Sequence, residues 1–178
     1  GTNAVEAAIK LARKVKGREN ILAFMGAFHG MTMGSLALTT DRCSREGAGQ
    51  ILPNVTHIPA PGMFQGLDTI AYMERLLTDD HSGLEKPAAI ILETIQADGG
   101  INVFGVEWLR RLRDLCDRYD ILMIADDIQV GCGRTGTFFS FERAGIVPDM
   151  VTLSKSIGGC GMPLALVLMK PELDQWEP

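Results

Sequence analysis

The chain has 178 residues, 46% apolar and 22% charged, the balance of a globular domain able to bury a substantial core. Its net charge of −5, without a block of Lys or Arg, leaves no electrostatic footprint for nucleic acid or an anionic membrane. The longest apolar runs, 88–92 and 164–169, fall far short of the roughly 20 residues a membrane helix needs, so small-molecule chemistry is the expectation.

Val5, Ala8, Ile9, Ala12 and Val15 recur at spacings of three and four, which predicts an amphipathic helix over Asn3–Lys16, stopped by Gly17 and opened beside Gly1-Thr2. Residues 20–25 read as a short buried strand that ends at Gly26 and leads into a loop carrying Phe28-His29-Gly30. Residues 40–67 hold glycines and prolines without a sustained period and are expected to be irregular, with short strands near Val55. A helix is predicted over Asp68–Leu77, a strand over Ala88–Glu93, a turn at Gly99-Gly100, a helix over Val106–Tyr119 and a strand over Ile121–Asp126. After the glycine-rich stretch 131–136, a short helix at Phe139–Ala144 precedes the strand Met150–Leu153, then Ser154-Lys155, then a last strand over Leu164–Met169. Near-continuous apolar strands alternating with helices imply an α/β fold. Its mostly parallel sheet would carry helices on both faces, with ligands at the carboxyl ends of the strands.

Three strands end in polar groups, at Phe28-His29, at Glu93 and at Asp126, and Lys155 follows directly on another apolar strand. An Asp and a Lys in one crevice can simply form a salt bridge, so their surroundings matter. The start of the first helix offers free backbone N–H groups to a phosphate, and Phe28 offers a face to a planar ring. Phosphate seat, ring platform, anion and amine together suit a phosphorylated pyridine aldehyde. A carboxylate near the pyridine nitrogen keeps it protonated, since a charge pair at ~4 Å is worth ~4 kcal/mol at an effective dielectric of ~20. Lys155 would anchor the aldehyde as an imine and, once displaced by a substrate amine, serve as general base.

Other features have plainer readings. Gly131–Gly136 spells GxGxxG, but Asp126–Val130 separates it from its strand, unlike the direct strand-to-helix turn of a dinucleotide-binding unit. The four cysteines show no CxxC pair and the histidines do not cluster with them at zinc-ligand spacing, so a reduced, cytoplasmic protein without a metal is expected. Cys132 and Cys160 read as small apolar filler, Met31 and Met33 as packing, and His57 and His81 as surface or loop residues. Beginning with Gly1 rather than Met, the chain reads as internal to a longer protein.

These residues carry a resemblance over essentially the whole length. Gly1-Thr2, Phe28-His29-Gly30, residues 93–100, Asp126-Asp-Ile-Gln129 with Gly133-Arg-Thr-Gly136, and Pro148-Asp149 leading to Ser154-Lys155 resemble the class III (ω-amino acid type) pyridoxal-phosphate aminotransferases. The resemblance implies that residues 1–178 are part of the large, cofactor-binding domain of a fold-type I transferase, without the family's N-terminal segment and small C-terminal domain. It implies that Lys155 is the Schiff-base lysine, that Asp126 pairs with the pyridine nitrogen and that Gln129 contacts the ring hydroxyl. It further implies that Phe28 stacks on the ring and that Gly1 and Thr2 bind phosphate. With His29 and Glu93 these residues form the expected cofactor site, Lys155 and Asp126 being catalytic.

Residues 1–13, Asp126–Gln129 and Pro171–Trp176 look like the diaminobutyrate branch of the family. That branch implies transfer of an amino group from glutamate to aspartate 4-semialdehyde, in ectoine biosynthesis, by a cytoplasmic homodimer or higher homo-oligomer. The 4-aminobutyrate, ornithine and acetylornithine types stay open as alternatives. Asn3, Thr94 and Asp127 depart from the wider family and resemble this branch. At Ala97-Asp98, where the family usually has Gly-Glu, the charge is kept on a shorter side chain, which leaves dual substrate use open.

Overall fold

The computed structural model describes residues 1–176. In chain order the helices are α1 (Thr2–Lys16), α2 (Met33–Leu38), α3 (Arg42–Arg45), α4 (Thr69–Thr78) and α5 (Val106–Tyr119). The strands are β1 (Ile21–Phe24), β2 (Val55–Ile58), β3 (Ala89–Leu92), β4 (Ile95–Gln96), β5 (Asn102–Val103), β6 (Leu122–Asp126), β7 (Met150–Leu153) and β8 (Leu166–Met169). Six strands form one sheet in the order β2-β1-β3-β6-β7-β8. Every neighbouring pair is parallel except β7 with β8, which runs antiparallel. The sheet reverses its direction of growth between β1 and β3, the kind of position where doubly wound sheets open a ligand crevice.

Strand alternation sorts the core into two layers. Ile21, Ala23, Ala89, Ile91, Leu122, Ile124 and Met150 face α1, packing on Val5, Ala8, Ile9, Leu11 and Ala12. Leu22, Phe24, Ile90, Leu92, Met123, Ala125, Val151 and Leu153 face α4 and α5, meeting Ile70, Met73, Leu109, Leu112 and Leu115. Covered on both faces, the central strands carry no polar side chains until their ends, which is why polar groups gather there. Phe24, Phe104 and Trp108 pack edge to face with centroids 5.0–5.9 Å apart, and the Trp108 indole N–H donates to Thr69 Oγ1 at 2.8 Å. Near the far end, Asp149 ties β6, β7 and α5 together: it accepts from the Met123 N–H (2.8 Å), Arg113 (2.8 Å) and Lys170 (2.6 Å).

The fold departs from the sequence reading in four places. The loop expected after β1 contains α2, a six-residue helix whose Gly34 and Ser35 give weak helical signal. The irregular stretch 40–67 holds α3 as well as the expected strand at Val55. Gly99-Gly100 is the turn of a small antiparallel hairpin, β4 with β5. The last strand begins at Leu166 rather than Leu164 and is the antiparallel edge.

Candidate active site

The carboxyl ends of β1, β3, β6 and β7 converge on a cavity of about 220 Å³. Gly1, Thr2, Phe28, His29, Glu93, Asp126, Gln129 and Lys155 all line it, so the structure brings every expected site residue together. Gly30 and Ile128 also line it and were not singled out as site residues by sequence reasoning, as does Asp98, which the sequence tied only to substrate use. A second groove, of about 740 Å³, adjoins the first and shares Phe28, Asp98 and Lys155 with it.

Asp126 ends β6 on the face toward α1, the side on which that helix begins, and is 3% exposed. Its carboxylate has three partners and one acceptor site left on Oδ2: Oδ2 lies 2.7 Å from His29 Nδ1, while Oδ1 accepts from the Thr152 hydroxyl (2.9 Å) and the Ile128 N–H (3.2 Å). Thr152 stands opposite Asp126 in the β6–β7 register, a partner hidden in the sequence as one polar residue inside an apolar strand. Burial pushes the His29 pKa down, but the hydrogen bond to Asp126 and the negative charges of Asp126 and Glu93 outweigh it, so the net shift is upward. The other ring nitrogen, Nε2, is buried without a hydrogen-bond partner among the described residues.

Asp127, the next residue, points the opposite way. It is 1% exposed and accepts from both the N–H and the hydroxyl of Ser140, which fixes the turn after β6 to the 3-10 helix Ser140–Ala144. Burial raises its pKa despite those hydrogen bonds. Glu93, following β3, is 4% exposed and accepts from the Phe28 N–H at 2.9 Å, so it holds the backbone that presents the Phe28 ring. Burial pushes its pKa up to about 7.

Lys155 is exposed, sits at the end of β7 in the left-handed region (φ 50°) and donates to Gln129 Oε1. A non-glycine residue in that region costs on the order of 1 kcal/mol or more and is held there by the surrounding structure. The simple Asp126–Lys155 salt bridge is not formed: the carboxylate is taken by His29, Thr152 and Ile128, and the amine by Gln129. α1 starts at Gly1 without a side-chain cap, leaving first-turn N–H groups available. A Cβ at Gly1 would stand 3.1 Å from Ile128 Cγ2, tight enough to press on the site wall.

Several side readings need correction. Met31, before α2, and Met33, its first residue, are 61% and 43% exposed rather than packed inside. His57 lies within β2 and is half-buried, not in a loop. Cys160 is exposed and fills nothing, whereas Cys132 packs against the core. Residues 131–136 form successive turns, closed by Cys132 N–H to Phe138 O at 2.8 Å and Gly136 N–H to Gly133 O at 3.1 Å. They do not cap a helix as a dinucleotide-binding loop does.

Comparison with known proteins gives the same picture. A diaminobutyrate–2-oxoglutarate transaminase from Streptomyces coelicolor is 63% identical over the whole of this chain, which covers 42% of that protein. A thermostable (S)-enantioselective omega-transaminase from Thermomicrobium roseum is similar in structure, with a TM-score of 0.88 at 33% identity over 97% of this chain and 42% of its own. A taurine:2-oxoglutarate aminotransferase from Bifidobacterium kashiwanohense, solved in complex with PLP and glutamate, has a TM-score of 0.87 at 30% identity, covering 97% of this chain and 41% of its own. The chain therefore spans about two-fifths of the length of these proteins. The family model Aminotransferase class-III matches residues 1–177, and on that match the chain belongs to the class-III aminotransferases.

Proposed function

We propose that this chain is the cofactor-binding part of a pyridoxal-phosphate-dependent aminotransferase that moves an amino group from L-glutamate to L-aspartate 4-semialdehyde, giving L-2,4-diaminobutanoate and 2-oxoglutarate. The observation that carries the reading is the cavity in which a buried carboxylate held by three partners, an amine on a neighbouring strand end, an aromatic ring and an uncapped helix start face one another. That donor set fits the cofactor. Lys155 would anchor it, Asp126 would meet its ring nitrogen, Gln129 its ring hydroxyl, Phe28 its ring face, and Gly1 and Thr2 its phosphate. The substrate reading is supported by relatives of 57–63% identity that carry the name diaminobutyrate–2-oxoglutarate transaminase.

When bound, the cofactor supplies an aldehyde for amines and a ring that withdraws electrons from the reacting carbon. The chain's own residues supply the rest. Asp126, buried and held by three donors, presents its remaining acceptor site in one direction without needing to reorganise. His29 holds that carboxylate in position through Nδ1. Gln129 keeps Lys155 Nζ at the cavity, where the free amine takes and returns the proton at the substrate's reacting carbon. Glu93, by fixing the Phe28 backbone, sets the plane of the platform.

The same reading places residues 1–178 in a large cofactor-binding domain, in a cytoplasmic homodimer or higher homo-oligomer serving ectoine biosynthesis. The exposed apolar side chains Met31, Met162 and Leu164 give such an assembly surface to cover. The test is 2-oxoglutarate release from glutamate and aspartate semialdehyde by the full-length protein, comparing wild type with Lys155→Ala. Release abolished by the substitution is the expected result. Turnover with 4-aminobutyrate or ornithine instead would keep the chemistry and sink the substrate assignment.

A further inference from the structure

We infer that Ser35 is a positioning residue of the phosphate seat: its hydroxyl proton compensates Thr2 when the Thr2 hydroxyl turns toward the cofactor's phosphate. This rests on the cofactor reading above. Thr2 lines the cavity, but its Oγ1 is also held from behind, 2.8 Å from Thr32 Oγ1 and 2.5 Å from Ser35 Oγ. Behind these hydroxyls stands Glu6, whose Oε1 accepts from the Thr32 hydroxyl at 2.5 Å and from the Ser35 N–H at 2.9 Å. The backbone closes over the group: a Cβ at Gly30 would lie 2.4 Å from Thr2 Oγ1, and one at Gly34 only 2.1 Å from Glu6 Oε2.

Counting protons decides the roles. Each hydroxyl has one proton to give, and a carboxylate only accepts. Thr32 gives its proton to Glu6, so it has none for Thr2. Ser35 gives its proton to the Thr32 carbonyl at 3.1 Å or to Thr32 Oγ1 at 3.0 Å, or can swing it to Thr2 Oγ1 at 2.5 Å. While Thr2 donates inward, its lone pairs face the cavity and repel an anion. Once Thr2 donates outward to a phosphate oxygen, its own oxygen needs a new donor, and Ser35 is the hydroxyl in this cluster with a proton to spare. Ser35 is 0% exposed, which places that donor inside the protein. Hydrogen bonds linked in this way strengthen one another, and the outermost is charge-assisted.

The experiment titrates the apo form of the full-length protein with pyridoxal phosphate and, separately, with pyridoxal, which lacks the phosphate, following absorbance and fluorescence. Ser35→Ala is expected to weaken pyridoxal-phosphate binding about five- to tenfold, the size of one lost hydrogen bond, and to leave pyridoxal binding unchanged. Ser35→Cys, similar in size but a weak donor, should show most of the same loss even if the alanine variant folds poorly. Thr2→Val should also weaken the phosphate form, and adding Ser35→Ala to it should cost nothing more. Equal losses for both ligands, or full additivity with Thr2→Val, would overturn the role of Ser35. Wild-type protein that binds neither ligand would instead overturn the cofactor reading on which it rests.

Discussion

Glu93 holds a proton that the unfolded chain would release. Burial moves its pKa from an ordinary 4.5 to about 7, so between those values the folded state binds more protons than the unfolded one. Stability from this group therefore falls as pH rises through that window. Glu93→Gln keeps an oxygen for the Phe28 N–H and removes the titration. Urea unfolding of the variant should show a flatter dependence of stability on pH between about 5 and 6.5 than wild type; identical slopes would mean another group is responsible. His29 and Asp127 are also raised and His57 is lowered, so it is the difference in slope between variant and wild type, rather than the wild-type slope itself, that reports Glu93. Asp126, Lys155, Phe28 and Glu93 were legible in the sequence because each punctuates an apolar run whose end must reach the crevice. Thr152, Ile128 and Ser35 were not: they sit among apolar or small residues, and the register of β6 on β7, the turn after β6 and the seat of α2 on α1 give them partners.

The long elements declare themselves, and α4 shows why. Asp68 Oδ1 accepts from the N–H groups of Ile70 and Ala71 at 3.0 and 3.1 Å, and Oδ2 meets Arg111 of α5 at 2.7 Å. The helix expected over Asp68–Leu77 is there, and Asp68 proves to be its cap. Asp68→Ala should lower the unfolding free energy by about 1 kcal/mol, read by chemical denaturation, with most of the loss coming from the cap rather than the exposed ion pair. α2 is the contrary case. With six residues and a glycine it has little intrinsic helicity, and it exists because Ser35 and Leu36–Leu38 are buried against α1 and the sheet. Its ends nonetheless serve the site: Ser35 stands behind Thr2, and the Thr39 hydroxyl accepts from the His29 N–H and donates to the Gly30 carbonyl, each at 2.9 Å. The direction of β8 was likewise invisible, since an edge strand reads the same forwards and backwards.

At the scale of the molecule, the alternating pattern of strands and helices revealed the parallel sheet, whereas the order β2-β1-β3-β6-β7-β8 had to be seen. That order determines which strand ends meet. The cavity takes its walls from Thr2, His29, Glu93, Asp126 and Lys155, contributed by five separate segments of the chain. No contiguous stretch of the sequence contains the site, and none of the strands β1, β3, β6 and β7 can be lost without opening one of its walls. Occupancy of the cavity is therefore a gauge of global folding. In a denaturant titration of the full-length protein with bound pyridoxal phosphate, loss of the cofactor's absorbance and loss of backbone circular dichroism from this domain should share one midpoint. An earlier loss of cofactor signal would mean that the strand ends loosen before the sheet does. A binding pocket built this way doubles as a checksum on the fold: it reads correctly only when every segment has arrived.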